Sequence, residues 1–326
     1  MGIDWPAVSR PEGHSLMDGP VAVTGAGGRL GRALLESLGG RAGPGIGWSR
    51  PGFDLDDPTS GEHLLERDRP RVVIHAAAWT DVDGCARDPE LAHRRNGAAV
   101  GALARACAAR AASLVLISTN EVFDGQLRGR GYREDDAAAP INAYGASKLA
   151  GETAAREAFG AGGFGGAGDA VGAGDAQGGA ALWIIRTAWL FGPPGADFPA
   201  RILAAADRLP PCALLPGVID EVGSPTLSSD LADAIVSLLA TAPPGTYHLV
   251  NGGTASRYAW AERVLARFRG GRPGLQAVSR SQFQRASEPP AWAVLDASLA
   301  TSLGIHLRDW EAAFDDYAGR SGASEQ

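Results

Sequence analysis

Short apolar runs alternate with amphipathic stretches through the first 190 residues. "PVAVTGAGG" (20–28) reads as a buried strand running into a glycine turn. "RLGRALLESLG" (29–39) follows as a helix with Leu30, Ala33, Leu34 and Leu38 on one face. "RVVIHAAA" (71–78) is a short apolar run rich in β-branched residues, the pattern of a strand covered on both sides. An Ala-rich helix (97–111), a strand "SLVLISTNEVF" (113–123), a helix "NAYGASKLAGETAARE" (142–157) and a strand "ALWIIRTAWLFG" (181–192) continue the alternation. Later elements are shorter and broken by Pro and Gly. "SSDLADAIVSLLATA" (228–242) predicts a helix opened by Ser/Asp caps, "GTYHLVNGG" (245–253) a strand and turn, and "SRYAWAERVLARF" (256–268) a helix.

This order predicts an α/β protein: a Rossmann-type doubly wound parallel sheet with a smaller C-terminal α/β lobe for the substrate. The expected organisation is a flexible N-terminal extension over 1–18, an NAD(P)-binding domain over 19–190, and a mainly substrate-binding lobe over 191–326 with segments interleaved with the first domain. The extension has Pro, Gly and charge but no apolar h-region, so it does not read as a secretory signal, and translation starts at Met1 or Met17. The stretch 160–180, "GAGGFGGAGDAVGAGDAQGGA", has too little apolar surface to offset the entropy of ordering it and reads as a flexible surface loop.

The 326 residues are 45% hydrophobic and 21% charged, which is ordinary for a soluble enzyme. A net charge of −7 argues against a general binder of nucleic acid or membrane surfaces. The three cysteines have no metal-ligand spacing, and their odd number suits reduced thiols in a cytoplasm. No metal is indicated. Basic residues are almost all arginine; Lys148 is the single lysine.

Gly25, Gly28 and Gly31 stand at GxxGxxG spacing between a strand and a helix, where backbone N–H groups can meet a pyrophosphate. Past the second strand, Ser49 and Arg50 stand where an acidic residue would favour NAD. Arg50, with Arg29 adding positive charge, favours a 2′-phosphate and hence NADPH, with NADH as the weaker option. Tyr144 and Lys148 are i and i+4 on one helix face. The lysine's compact charge is expected to lower the phenol pKa from about 10 and let Tyr144 exchange a proton with a carbonyl oxygen. Ser118 or Thr119 can offer a hydroxyl to that oxygen.

"TGAGGRLG", the Tyr144–Lys148 pair and the β-α order resemble the extended short-chain dehydrogenase/reductase family, and within it the dTDP-4-dehydrorhamnose reductase branch. "IIRTAWLFG", "DEVGSPTLSSDLADAI" and "GTYHLVNGGTASRYAWA" are the more specific stretches. The resemblance implies NADPH-dependent reduction of the 4-keto group of a nucleotide-linked 6-deoxy sugar, on the way to dTDP-L-rhamnose or a related deoxysugar. It implies Gly25, Gly28, Arg29, Leu30 and Gly31 around the pyrophosphate, Asp54 and Leu55 at the adenine, and Ala76, Ala77 and Ala78 along the cofactor. Tyr144 is then the proton donor and Lys148 the holder of the nicotinamide ribose. Thr119 bonds the sugar carbonyl, Trp189 packs on the sugar, and Asn120 and Glu121 sit beside it. The nucleotide sugar is the expected partner, and a homodimer accords with the habit of the family.

Four positions depart from the pattern. Asn120 and Glu121 replace an aspartate and an aromatic, Glu221 replaces a glutamine, and Pro289 stands in place of an arginine. Sugar-nucleotide 4,6-dehydratases carry an Asp-Glu pair at the place of Asn120 and Glu121, so a dehydratase or epimerase is the alternative; Asn120, however, cannot act as an acid. A non-catalytic regulatory subunit that keeps the nucleotide site is the second alternative, against which Tyr144, Lys148 and Thr119 all speak.

Overall fold

The structure is a computed structural model and describes residues 19–39, 45–160, 179–210 and 212–323. The expectations for 1–18 and for nearly all of 160–180 lie outside the described residues.

Five strands lead the fold: β1 (Val21–Thr24), β2 (Ile46–Trp48), β3 (Val72–His75), β4 (Ser113–Thr119) and β5 (Leu182–Thr187). With a sixth strand, Gly245–His248, they form one sheet in the order β2-β1-β3-β4-β5-sixth, with every pairing parallel. Successive side chains of a strand face opposite sides, so the sheet supplies two cores. Val21, Val23, Val115, Ile117, Trp183 and Ile185 bury one face. They pack against Leu34 and Leu38 of α1 (Arg29–Gly39) and against Leu231, Ile235 and Leu239 of the helix Ser228–Thr241. Ala22, Val73, Leu114, Leu116, Leu182 and Ile184 bury the other, against Leu64 and Leu65 of α2 (Ser60–Asp68) and Val100 and Leu103 of the helix Ala99–Ala109.

α1 buries the four residues that its periodicity singles out, together with Gly31. The helix Ser228–Thr241 differs from expectation at its start. Leu227 is the N-cap, with no side-chain cap, and its N–H is taken instead by Asn251 Oδ1 at 2.8 Å. A third core, rich in aromatics, joins Phe191, Trp260, Val264, Trp310 and Phe314 from the C-terminal half.

Two histidines lie in this interior. His75 and His248 are 1% and 0% exposed, and burial lowers the pKa of each to about 3. An unfolded histidine takes up a proton below about pH 6.5, whereas these two do not until near 3, so folding is opposed increasingly as pH falls through that window. The urea midpoint should therefore drop between pH 7 and pH 5, and His75→Gln should flatten the drop. A midpoint equally pH-dependent in that variant would contradict the assignment.

Candidate active site

In the sheet order, β2 lies on one side of β1 and β3 on the other, so the strand order reverses between β1 and β3. Loops diverge at such a point and leave a crevice at the carboxyl ends of the strands. Gly25 sits there with φ +66, and a Cβ on it would stand 2.9 Å from the Ala77 backbone nitrogen. On Gly31 a Cβ would stand 2.1 Å from the Gly25 oxygen, so the turn closes on the helix only with glycine at both positions. α1 then begins without an acidic residue in its first turn, leaving its N–H groups and positive dipole end for an anion.

Ala76, Ala77 and Ala78 follow β3, and Ala77 N–H donates to Thr24 Oγ1 at 3.1 Å. Gly25, Gly28, Leu30 and Gly31 thus come together with the three alanines. The Arg29 side chain reaches elsewhere: its Nε donates to the Gly192 carbonyl at 2.5 Å and its Nη2 to that of Pro194 at 3.4 Å.

β2 ends at Trp48, which puts Arg50 two residues beyond it, exposed to solvent. In the loop that follows, Leu55 packs on the core and Asp54 Oδ1 accepts from the Asp56 N–H at 3.1 Å. Arg95 pairs with Asp56 through two bonds of 2.7 and 2.5 Å. With help from Arg94 and Arg50, this pair holds the Asp56 carboxyl below the usual range. Arg94 and Arg95 were not singled out from the sequence, because they stand about forty residues past the loop they serve. Arg50→Asp should reverse a preference for NADPH over NADH, as measured by the ratio of kcat/KM values. An unchanged ratio would mean that the 2′-position is read by other residues.

The reacting end lies across the crevice. α3 (Val82–Arg87) and α4 (Pro89–His93) follow β3, then a π-helical turn, Arg94–Ala98, and α5 (Ala99–Ala109). Asn96 in that turn is 1% exposed and holds two walls together. Its Oδ1 accepts from Trp79 N–H at 2.8 Å, while its Nδ2 donates to the Trp79 carbonyl at 3.0 Å and to Ser147 Oγ at 3.1 Å. Nothing in the sequence pattern points to Asn96, although a π-turn inside a helix is often found at a functional site.

α6 (Ala143–Ala158) starts at Asn142, whose Oδ1 accepts from Gly145 N–H at 2.8 Å. One turn apart on this helix, Tyr144 and Lys148 are brought against the end of β4. The Tyr144 hydroxyl faces the Thr119 side chain, whose influence partly offsets the rise in the phenol's pKa. Thr119 is buried and its Oγ1 accepts from Glu121 N–H at 3.2 Å. Lys148 is 4% exposed and donates from Nζ to the Ile117 carbonyl at 2.7 Å. Ser118, the other hydroxyl considered at this strand end, points away and donates to Glu152 Oε1 at 2.5 Å.

The titration of the pair corrects one expectation. The Tyr144 phenol is raised above its usual range, by burial first and by the Glu121 carboxylate second. Burial also lowers Lys148 to about 8. In the free protein, desolvation outweighs the attraction that the sequence suggested.

A sequence-family profile described as the RmlD substrate binding domain matches residues 19–163 and 169–321. The chain belongs to this family. It is 35% identical over 312 residues to a dTDP-4-dehydrorhamnose reductase of Streptomyces griseus, covering 92% of this chain and 94% of that protein. It is 33% identical over 301 residues to one of Mycolicibacterium smegmatis, covering 91% and 84%. The crystal structure of dTDP-4-dehydrorhamnose reductase from Bacillus anthracis in complex with NADP is similar with a TM-score of 0.79. It has 28% identity and covers 92% of this chain and 98% of the other.

In this member of the RmlD family the departing residues gather on one wall of the cleft. Asn120 Nδ2 donates to the Ala293 carbonyl at 2.9 Å. Glu121 is buried and its Oε2 accepts from Asn142 Nδ2 at 2.8 Å. Burial raises the Glu121 carboxyl, and the Glu221 charge raises it further. Glu221 in turn pairs with Arg257 Nε at 2.8 Å. The Arg257 guanidinium lies 3.5 Å from the centre of the Trp189 ring, and Trp189 stacks on Trp260 with centroids 5.8 Å apart. A sugar packing on Trp189 would therefore meet Arg257 as well, a neighbour that the sequence did not foretell.

Proposed function

We propose that this protein reduces the 4-keto group of a nucleotide-linked 6-deoxy sugar with NADPH, as a dTDP-4-dehydrorhamnose reductase does. The observation that carries this reading is the Tyr144 hydroxyl beside Thr119, one helical turn from buried Lys148, at the carboxyl edge of a sheet whose switch point is built for a dinucleotide. The names of the relatives support the same substrate class. Residues up to about 190 form the cofactor half and the later residues mainly the substrate half, with the helix Ser228–Thr241 and the strand Gly245–His248 returned to the main sheet layer.

The residues fit the cofactor. Gly25, Gly28, Leu30 and Gly31 offer the turn and helix start to the pyrophosphate, Ala76 to Ala78 leave room along β3, and Arg50 faces the 2′-phosphate. The chemistry that NADPH supplies when bound is a hydride for the carbonyl carbon. The chain does the rest. Tyr144 stays protonated at neutral pH, as its raised pKa requires, and donates its hydroxyl proton to the carbonyl oxygen as charge develops there. Thr119 Oγ1 bonds the same oxygen and fixes its position. Lys148 keeps one ammonium proton on the Ile117 carbonyl and has two more donors for the ribose, while its charge favours the phenolate that Tyr144 leaves behind.

Thr119→Val should lower kcat by about ten- to a hundredfold, the cost of one hydrogen bond to a developing charge, with NADPH affinity unchanged. Unaltered kcat would remove Thr119 from the site. The reading as a whole is tested by following NADPH oxidation with a panel of 4-keto-6-deoxy sugar nucleotides. At least one should be reduced; a dehydratase or epimerase would turn over sugar with its cofactor unconsumed, and a regulatory subunit would bind NADPH and reduce none.

A further inference from the structure

The proton donor stands at a weak point of its helix. The first N–H groups of an α-helix have no partner within it, and helix ends fray. α6 begins at Ala143, so Tyr144 is its second residue, whereas Lys148 lies a full turn further in. Whatever fixes Tyr144 must therefore hold that first turn.

Asn142 holds it from outside the helix, its Oδ1 accepting from Gly145 N–H, next to Tyr144. The turn lies directly on the backbone that follows β4: a Cβ on Gly145 would stand 2.0 Å from the Glu121 carbonyl oxygen. An asparagine amide can make this cap in only one of its two orientations. With Oδ1 on the Gly145 N–H, Nδ2 must point the other way. Two acceptors wait for it there, Glu121 Oε2 at 2.8 Å and the Glu288 carbonyl at 3.1 Å. Turned over, the amide would set oxygen against the Glu121 carboxyl and NH₂ against the Gly145 N–H.

Of the two acceptors, Glu121 is the closer and the better fastened. It is buried, while Glu288 is exposed. It also belongs to the short 3₁₀ turn Asn120–Val122 at the strand end, where its N–H donates to Thr119 Oγ1 at 3.2 Å. One chain of bonds thus runs from Thr119 through Glu121 and Asn142 to the residue after Tyr144.

We propose that Glu121 is a positioning residue for Tyr144: through Asn142 it fixes the cap of α6 and so keeps the phenol facing Thr119. The role rests on the reductase reading for what Tyr144 does, and on the hydrogen bonds alone for where Glu121 acts. It gives a use to a carboxyl group that stands where the resemblance expects an aromatic.

The test compares Glu121→Ala with Glu121→Gln in the full-length protein. Glutamine keeps an oxygen to accept from Asn142 Nδ2 but can be neither an acid nor an anion. Glu121→Ala should lower kcat about tenfold or more, as a small misplacement of a reacting group does, and Glu121→Gln should recover most of that loss. Asn142→Ala should fall like Glu121→Ala, and the double alanine variant should be little worse than either. NADPH affinity should stay the same throughout, which also reports an intact fold. A second readout does not depend on activity. Hydrogen exchange of the Gly145 amide should quicken about 3- to 30-fold in both alanine variants, the effect of a lost cap, and return toward wild type in Glu121→Gln. If Glu121→Ala keeps wild-type kcat, if Glu121→Gln is as slow as Glu121→Ala, or if Gly145 exchanges at the wild-type rate in the alanine variants, the proposal is overturned. If exchange follows the prediction yet the wild type reduces no 4-keto sugar nucleotide, Glu121 still holds the helix start and the reductase reading fails.

Discussion

Tyr144→Phe should lower kcat by about 10²–10⁴-fold, the usual worth of a positioned acid–base group, while NADPH binds as before. The phenyl ring still fills the place of the phenol, and only the proton donor is lost. Lys148→Arg should fall comparably although it keeps the charge. Lys148 is 4% exposed and reaches the Ile117 carbonyl with a compact ammonium, and the wider guanidinium has no room there without displacing its neighbours. The double variant should be little worse than either single one, because the two side chains act as a unit. In the wild type, kcat/KM should decline as pH rises through about 8, where the free protein loses the Lys148 charge. A Lys148→Arg protein with near wild-type kcat and the same pH profile would mean that the single lysine of the chain does nothing in the reaction.

Glu152→Ala should destabilise the protein by about 3–5 kcal/mol, the cost of breaking a buried ion pair from one side. Glu152 is 0% exposed and lies one turn beyond Lys148 on α6. Its carboxylate accepts from Arg186 Nε at 3.0 Å and Nη2 at 2.8 Å, from Arg156 Nη1 at 3.2 Å and from Ser118 Oγ at 2.5 Å. Without it, two arginines that cross from β5 and α6 face each other with no anion between them. The pKa of Glu152 is lowered from 4.5 to about 2, with Arg186 the main opponent of burial. A depressed carboxylate stabilises the fold above its unfolded pKa, so this contribution is full above about pH 4.5 and fades as pH falls toward 2. Urea unfolding at pH 7 checks the loss; a shift under 1 kcal/mol would show that the arginines find other partners.

Much of the fold was legible because local patterns dictate it. The period of Leu30, Ala33, Leu34 and Leu38 marks α1, and the apolar runs mark strands that the sheet covers on both faces. Gly25 and Gly31 could be singled out because a tight turn against a helix requires residues without a side chain. Tyr144 and Lys148 could be paired because a helix sets their spacing. Contacts between distant segments were not legible. Glu121 and Glu221 stand a hundred residues apart, and only the fold brings their charges together with Arg257. Asn96 bonds Trp79 and Ser147 through a π-turn that no periodicity reveals. The shift of Tyr144 was misjudged for a related reason: a spacing of four residues places a charge, but the burial that outweighs it belongs to the whole fold.

The central claim is hydride transfer to a sugar carbonyl with Tyr144 as the proton donor. Its most direct measurement is incubation with NADPH deuterated at the transferable position and a 4-keto-6-deoxy sugar nucleotide, with the product analysed by NMR. One deuterium should appear at C4 for each NADPH oxidised, in a single configuration, and Tyr144→Phe should nearly abolish its appearance. Sugar converted without deuterium at C4, or without loss of NADPH, would contradict the account.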